Sequence, residues 1–313
     1  MSTIAWIGLG HMGAPMAAHL VAAGHTVRGV DIDPACAAAA AERGVIIADS
    51  IREALDGADA CFTSLPMPAH VRAVYDGPDG IWAHASAETL LLDTSTVDVE
   101  TSRWTHDGSA ARGLAFVDSP ISGGTAGAEA HSLTFMLGGD IADVARAEDL
   151  VAPMAGSIIA CGGATAGIAA KLVNNMMLFI GVMAVAEGSQ LAEQLGLDPQ
   201  VFWNVVDVSS GGSWPQRVWY PVPGVVPGAA ANRNFDATFS VDLARKDCGL
   251  AVQAGAAAGM HLPAAALALS QLDELVAEGL GHKDCTLVTK LVTPDGALRG
   301  YVPAPSPSPH PVH

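Results

Sequence analysis

The stretch "IAWIGLGHMGAPM" near the N-terminus constrains the fold more than any other part of this chain. Thr3 to Ile7 reads as a strand, residues 12 to 23 as a helix, and Thr26 to Val30 as a second strand. Gly8, Gly10 and Gly13 fill the turn between the first strand and the helix. At the first position glycine permits a tight turn. At the second it lets a diphosphate approach the backbone, and at the third it lets helix and strand pack closely. The helix N-terminus then offers N–H groups and a positive partial charge.

A glycine pattern alone is weak evidence, and the flanking elements give it meaning. The second strand ends in Asp31, roughly 20 residues on, where dinucleotide folds carry an acid for the adenosine ribose. A carboxylate there accepts hydrogen bonds from the ribose hydroxyls and repels a 2′-phosphate. Asp33 adds negative charge, and Ile32 rather than an arginine follows Asp31. The pattern therefore favours NAD over NADP, held by Gly8, Leu9, Gly10, His11, Met12, Gly13 and Asp31.

Apolar runs at Ala60 to Ser64, Thr89 to Leu92 and Ala115 to Val117 continue the alternation of strand and helix. This predicts a parallel sheet covered by helices, an α/β Rossmann-type domain over residues 1–163. Beyond Gly162–Gly163 the pattern becomes helical. One long helix, residues 165 to about 195, joins the first domain to an all-α domain over 164–296. Within that domain "SSGGSWPQRVWYPVPGVVPG", residues 209 to 228, reads as a long loop. Residues 297–313, ending "VPAPSPSPHPVH", predict a Pro-rich disordered tail.

With 15 basic against 32 acidic residues and a formal charge of −17, the chain gains nothing from releasing phosphate counterions. Nucleic acid and anionic membranes are poor partners for it. The longest apolar run, Met176 to Ala186, falls short of a bilayer span, so no membrane segment is expected. The five cysteines have neither metal-ligand nor redox spacing. Reduced thiols, no metal and a cytoplasmic location follow as expectations.

Three further stretches carry chemistry. "AAKLVNNMMLF" places Lys171, Asn174 and Asn175 at i, i+3 and i+4, on one face of an otherwise apolar helix. "DSPISGGTAGAEAHSLTFMLGG" follows a strand with a glycine-lined turn, where Ser122 and the Gly123 and Gly124 N–H groups can cradle a carboxylate. "LDTSTV" ends another strand in hydroxyls at the sheet edge where such folds bind ligands, and "DLARKDCGLA" offers Lys246 and Asp247 on a helix.

In this order and spacing, "GLGHMG", "DSPISGG", "KLVNN" and "KDCGLA" resemble the motifs of the β-hydroxyacid dehydrogenase family, from Ile4 to about Leu291. "SLPMPAHVRAVYDGPDGI" and the loop around Trp214 look more like its hydroxyisobutyrate branch than its glyoxylate or tartronate relatives. The resemblance implies that Lys171 is the catalytic acid–base and that Asn175 positions substrate and lysine. It also implies that Ser122, Gly123 and Gly124 hold the substrate carboxylate and that Lys246 lies beside nicotinamide and substrate. Leu65, Pro66, His70 and Thr96 join the cofactor residues, and Trp214 and Phe239 the pocket wall.

The activity implied is reversible oxidation of 3-hydroxyisobutyrate to methylmalonate semialdehyde, a step of valine breakdown, by a homodimer or homotetramer. L-serine, glycerate or tartronate semialdehyde, and 3-hydroxypropionate are alternative substrates. An imine reductase or a non-catalytic dinucleotide-binding protein is more remote, since either would be expected to lose Lys171, Asn175 or Ser122. One position departs from the family. His131 stands where glycine is usual, and if that position needs positive φ the turn must shift locally.

Overall fold

The computed structural model describes residues 1–294 and 296–303. The chain divides into two compact units, residues 1–175 with 253–260, and residues 176–252 with 261–313.

The first unit is built on one sheet. Its strands are β1 (Thr3–Ile7), β2 (Thr26–Val30), β3 (Ile46–Ile47), β4 (Ala60–Thr63), β5 (Leu90–Asp93), β6 (Ala115–Asp118), β7 (Ile121–Ser122), β8 (Leu133–Gly138) and β9 (Ala155–Gly162). They lie in the order β3-β2-β1-β4-β5-β6-β8-β7, with β9 paired to β8. The first six form the parallel order 3-2-1-4-5-6 of a dinucleotide fold, with its reversal point between β1 and β4. Every residue of β4 and β5 is buried, as a parallel sheet covered on both faces requires. Trp6 of β1 stacks on Phe62 of β4 at 4.8 Å, so the aromatic core sits under the reversal point.

The sheet is not parallel throughout. β8 runs antiparallel to β6 and β7, and β9 then pairs parallel with β8. Strands β3, β7, β8 and β9 escaped the sequence reading, because β3 and β7 are two residues long and exposed residues interrupt β9.

The helices of this unit are α1 (Gly13–Ala22), α2 (Pro34–Ala41), α3 (Ile51–Leu55), α4 (Pro68–Tyr75), α5 (Ile81–His84), α6 (Val99–Ala110), α7 (Gly124–Glu129) and α8 (Ile141–Val151). Several start where side chains dictate: Asp33 accepts from Ala35 N with Pro34 in the first turn, Asp98 from Thr101 N and Asp140 from Ala142 N.

Helix α9 (Ala166–Gln194) follows β9. The first turns of α9 bury Ile168 and Leu172 and are tied to β6 by a hydrogen bond, so residues 164–175 pack with the first compact unit. By length and composition α9 could cross a membrane, although 39% of its most apolar window is buried inside the protein. The run Met176 to Ala186 therefore understated its apolar length.

The second unit adds α10 (Pro199–Asp207), α11 (Trp214–Val218), α12 (Val241–Ala257), α13 (Pro263–Ala277) and a 3-10 helix over Cys285–Val292. Gly196, at φ +79°, ends the approach from α9, and Asp198 caps α10 through Val201 N. The core of this unit gathers Phe179, Met183, Phe235, Val241, Leu272 and Leu287. The loop expected over 209–228 is partly helical, because Ser213 accepts from Gln216 N and starts α11.

The expected disordered tail does not begin at 297. Leu298 joins the core, Val302 N donates to Asn234 Oδ1 at 2.7 Å, and Arg299 pairs with Glu193 at 3.2 Å. Residues 304–313 of that tail lie outside the described residues.

Candidate active site

The glycine loop is shaped by close approaches. Gly8 has φ +97°, and a Cβ there would stand 2.3 Å from Ser64 O. A Cβ on Gly13 would stand 2.0 Å from Gly8 O, so helix and loop can pack this tightly only without one. At Gly10 a Cβ would meet nothing within 4 Å, which leaves an open face over the backbone. No side chain caps α1, and no acid stands in its first turn. A cradle closed by glycines behind, open in front and uncapped fits a pyrophosphate.

Leu9 lends only its backbone to that face, since its side chain is buried against Gly29. His11 is exposed and Met12 half-buried. Asp31 does two things. Its Oδ2 accepts from Leu9 N at 2.6 Å and its Oδ1 from Asp33 N at 2.8 Å, so the acid expected to bind the ribose also ties down the glycine loop. Ile32 is fully exposed beside it, where a 2′-phosphate would want a cation.

Two neighbouring loops leave the sheet at its carboxyl edge. Leu65 N donates to Ser95 Oγ at 2.9 Å, which joins the segment bearing Leu65 and Pro66 to the segment bearing Thr96. Under this link Asp93 Oδ1 accepts from Thr63 Oγ1 at 2.7 Å and from Ser95 N at 3.1 Å. Burial pushes the Asp93 carboxyl up to about 6, against the hydrogen bonds from Ser95 and Thr63. Pro66 and His70 are exposed and Thr96 is half-buried.

The turn after β6 carries Ser122, half-buried, then Gly123 at φ +134° and Gly124 at φ +63°. Both glycines adopt backbone that a side chain would strain, and their N–H groups start α7 without a side-chain cap. His131 does sit at positive φ, +55°. Ser122 pairs with Thr134, and the His131 ring lies tilted against His19 at 3.5 Å with Nδ1 3.2 Å from Pro153 O.

On α9, Lys171 is only 7% exposed and Asn175 2%, among buried Ile168, Leu172 and Phe179. Asn174 points away from this face. It is exposed, and its Nδ2 donates to Asn175 Oδ1 at 3.1 Å. The glycine loop, Asp31, Leu65, Thr96, Ser122–Gly124, Lys171 and Asn175 thus all belong to the first unit.

In the second unit, Lys246 of α12 lies 3.1 Å from Asp247 Oδ1, and its side chain is 13% exposed. Trp214, 46% exposed, meets Trp219 edge-on at 5.0 Å, and Trp219 leads on to Phe239 at 6.1 Å. Buried Asp284 holds the Phe239 segment by accepting from Thr238 N, Thr238 Oγ1 and Phe239 N. The cysteines are free thiols, and burial pushes Cys248 up to about 11. Among the described residues no cluster of His, Cys, Asp or Glu could hold a metal.

A hollow of about 490 Å³ lies elsewhere, beside Trp82, Trp104 and Arg112. The Arg112 guanidinium already covers the Trp82 ring at 4.3 Å.

Sequence reasoning passed over Asp118, Ser95 and Trp219. Asp118 had a signal, since it opens the quoted "DSPISGG" at a strand end. Ser95 had one too, as a hydroxyl of the quoted "LDTSTV", whereas Trp219 lay unmarked within the 209–228 loop.

Known proteins are similar to this chain over most of its length. Residues 3–163 match the NAD-binding domain family of 6-phosphogluconate dehydrogenase. Residues 165–292 match a family described as the NAD-binding domain of NADP-dependent 3-hydroxyisobutyrate dehydrogenase. A probable 3-hydroxyisobutyrate dehydrogenase of Mycobacterium tuberculosis is 45% identical over 84% of this chain and 88% of its own length. An NAD-dependent L-serine dehydrogenase of Pseudomonas aeruginosa is 39% identical over 94% of this chain and 99% of its own. Among solved structures, the Mycobacterium tuberculosis 3-hydroxyisobutyrate dehydrogenase with L-serine superposes at a TM-score of 0.87. It is 42% identical, over 93% of this chain and 99% of the other.

Proposed function

This chain belongs to the β-hydroxyacid dehydrogenase family, and from that premise we propose that it oxidises 3-hydroxyisobutyrate to the semialdehyde in valine breakdown. It is an NAD-dependent oxidoreductase acting on a CH–OH group of a small hydroxy acid. The observation that carries the finer reading is Lys171, an amine 7% exposed on an apolar helix, in the same unit as an N–H cradle at Ser122–Gly124.

Ser122 and the Gly123 and Gly124 N–H groups bind the substrate carboxylate. Lys171 takes the hydroxyl proton during oxidation and returns it to the developing alkoxide in reduction. Asn175 orients the hydroxyl against that amine. NAD, when bound, supplies the hydride acceptor. Asp31 holds its ribose, the Gly8–Gly13 loop its pyrophosphate, and Leu65, Pro66, His70 and Thr96 its flanks. In the second unit, Lys246, Trp214 and Phe239 are the residues we assign to ligand binding, a cation and two aromatic rings.

A carboxylate at one end and a proton relay at the other select an alcohol one carbon further along than in an α-hydroxy acid. A C2 methyl suits an apolar wall better than an ammonium, and a buried methyl is worth about 1–3 kcal/mol of discrimination. L-serine is the second reading, favoured by the full-length likeness to an L-serine dehydrogenase and by the solved relative with L-serine.

The test is kcat/KM across 3-hydroxyisobutyrate, L-serine, glycerate, 3-hydroxypropionate and 3-hydroxybutyrate. The highest value is expected for 3-hydroxyisobutyrate, and a tenfold preference for serine or glycerate removes the valine assignment.

The protein works as a homodimer or homotetramer in this reading. Leu191, Leu195, Val201, Val205 and Val208 stand exposed along α9 and α10, more apolar surface than a lone subunit usually shows to water. The free thiols suit a reducing compartment, the cytoplasm in this proposal.

A further inference from the structure

Asp118, at the end of β6, is buried and touches three segments at once. Its Oδ1 accepts from Thr165 N at 3.0 Å and lies 2.7 Å from His106 Nε2 on α6. Its Oδ2 accepts from Ile168 N at 2.7 Å, within the first turn of α9. A carboxylate there satisfies N–H groups that a helix start leaves without partners, and it complements the positive end of the helix.

The junction that Asp118 holds is strained and tight. Thr165 is buried with φ +69°, a left-handed conformation that a β-branched residue adopts only when its surroundings impose it. A Cβ on Gly138 would fall 2.6 Å from both Asp118 Oδ1 and Gly167 N. A Cβ on Gly167 would fall 2.3 Å from Met136 O. Strand β8 and the first turn of α9 therefore meet backbone to backbone, with Asp118 as the polar bolt between them.

What lies on either side of Asp118 gives this arrangement its purpose. Along the chain, β6 ends at Asp118 and leads through β7, which carries Ser122, to Gly123 and Gly124. Along α9, Lys171 follows Ile168 by about one helical turn. We infer that Asp118 is a positioning residue that sets the spacing between the carboxylate cradle and the lysine, and so the carbon at which the hydroxyl must stand. The inference rests on the proposed role of Lys171.

Three variants test it: Asp118→Asn, Thr165→Gly and Lys171→Ala. Each is followed by kcat and KM for 3-hydroxypropionate and 4-hydroxybutyrate with NAD, by NADH binding, and by Tm. The asparagine keeps the shape but turns one acceptor into a donor facing a backbone N–H. The glycine removes the strain and frees the junction. We expect both to lose roughly 10- to 100-fold in kcat, the scale of a misplacement near 1 Å. NADH affinity should hold, and the preference for 3-hydroxypropionate over 4-hydroxybutyrate should narrow. Thr165→Gly should melt no lower than the parent, which separates lost positioning from lost stability. If Asp118→Asn fails to fold, Thr165→Gly decides alone. Variants that keep kcat within twofold and the parent's chain-length preference overturn the inference, provided Lys171→Ala is inactive. Turnover kept by Lys171→Ala overturns the assignment of Lys171 and this inference with it.

Discussion

Asp93 should make the protein less stable at neutral pH than an asparagine would. The side chain is 3% exposed at the end of β5, and its carboxyl is pushed up to about 6 by burial, with Asp118 adding repulsion. The unfolded chain releases this proton near 3.8, so between there and about 6 the native state holds it more tightly. The stabilisation is complete below 3.8 and is lost as pH rises through 6. At 1.36 kcal/mol per pKa unit, the loss at pH 7.5 is about 3 kcal/mol, and at pH 4.5 about 1 kcal/mol. Asp93→Asn stays neutral at every pH. It keeps an acceptor for Thr63 Oγ1 and Ser95 N, and places a donor where the protonated acid has one. Urea unfolding followed by circular dichroism at pH 7.5 and 4.5 should show the variant ahead by up to about 3 kcal/mol, with the gap closing to about 1 in acid. Tyr75, Cys61 and Asp118 interact electrostatically around this carboxylate and are unchanged by the substitution. A gap that is constant with pH, or a variant less stable at pH 7.5, would refute the reasoning and mean that Asp93 sits comfortably ionised.

Lys171→Ala should cost on the order of 10² to 10⁴-fold in kcat while NADH still binds, as measured by fluorescence titration. Asp31→Ala should weaken NAD and relax the exclusion of NADP, and a parent enzyme with higher kcat/KM for NADP would show that Asp31 has been misread. His131→Gly should leave stability unchanged or raise it by about 1 kcal/mol, because it relieves a positive φ at the expense of the His19 contact. A loss of more than about 1 kcal/mol in denaturant unfolding would show that the contact outweighs the strain.

The parts of this protein that could be read from sequence are those where local chemistry and tertiary role coincide. Gly8 and Gly13 announce a loop because only glycine meets its contacts there, and apolar β1, β2, β4 and β5 announce a buried sheet. Asp198–Pro199 announces a helix start in the same way. What stayed hidden depends on partners distant in the chain. The two-residue strands β3 and β7 exist only because β2 and β8 pair with them. Asp118 reads as the first letter of a substrate motif, and its bonds to Thr165 and Ile168 come from the fold alone. Leu298 and Val302 looked like tail because the pattern cannot show Asn234 waiting to accept the backbone. His131 was visible as a departure, but its ring contact with His19, far back in the chain, comes from the fold alone.

The bond from Leu9 N to Asp31 Oδ2 has an engineering consequence. Nucleotide preference in folds of this kind invites redesign by replacing one acid, as though reading the ribose were its single task. Here the carboxylate proposed to read the ribose also pins the glycine loop proposed to receive the diphosphate, and the pin is lost with the reader. A route toward the phosphorylated cofactor that begins at Asp31 first passes through a protein with a slack loop, poor with either nucleotide. The productive order is reversed: a new acceptor for the Leu9 N–H goes in first, a cation at position 32 second, and Asp31 is changed last. The same coupling resists drift, because a random change at this residue forfeits two functions before gaining one.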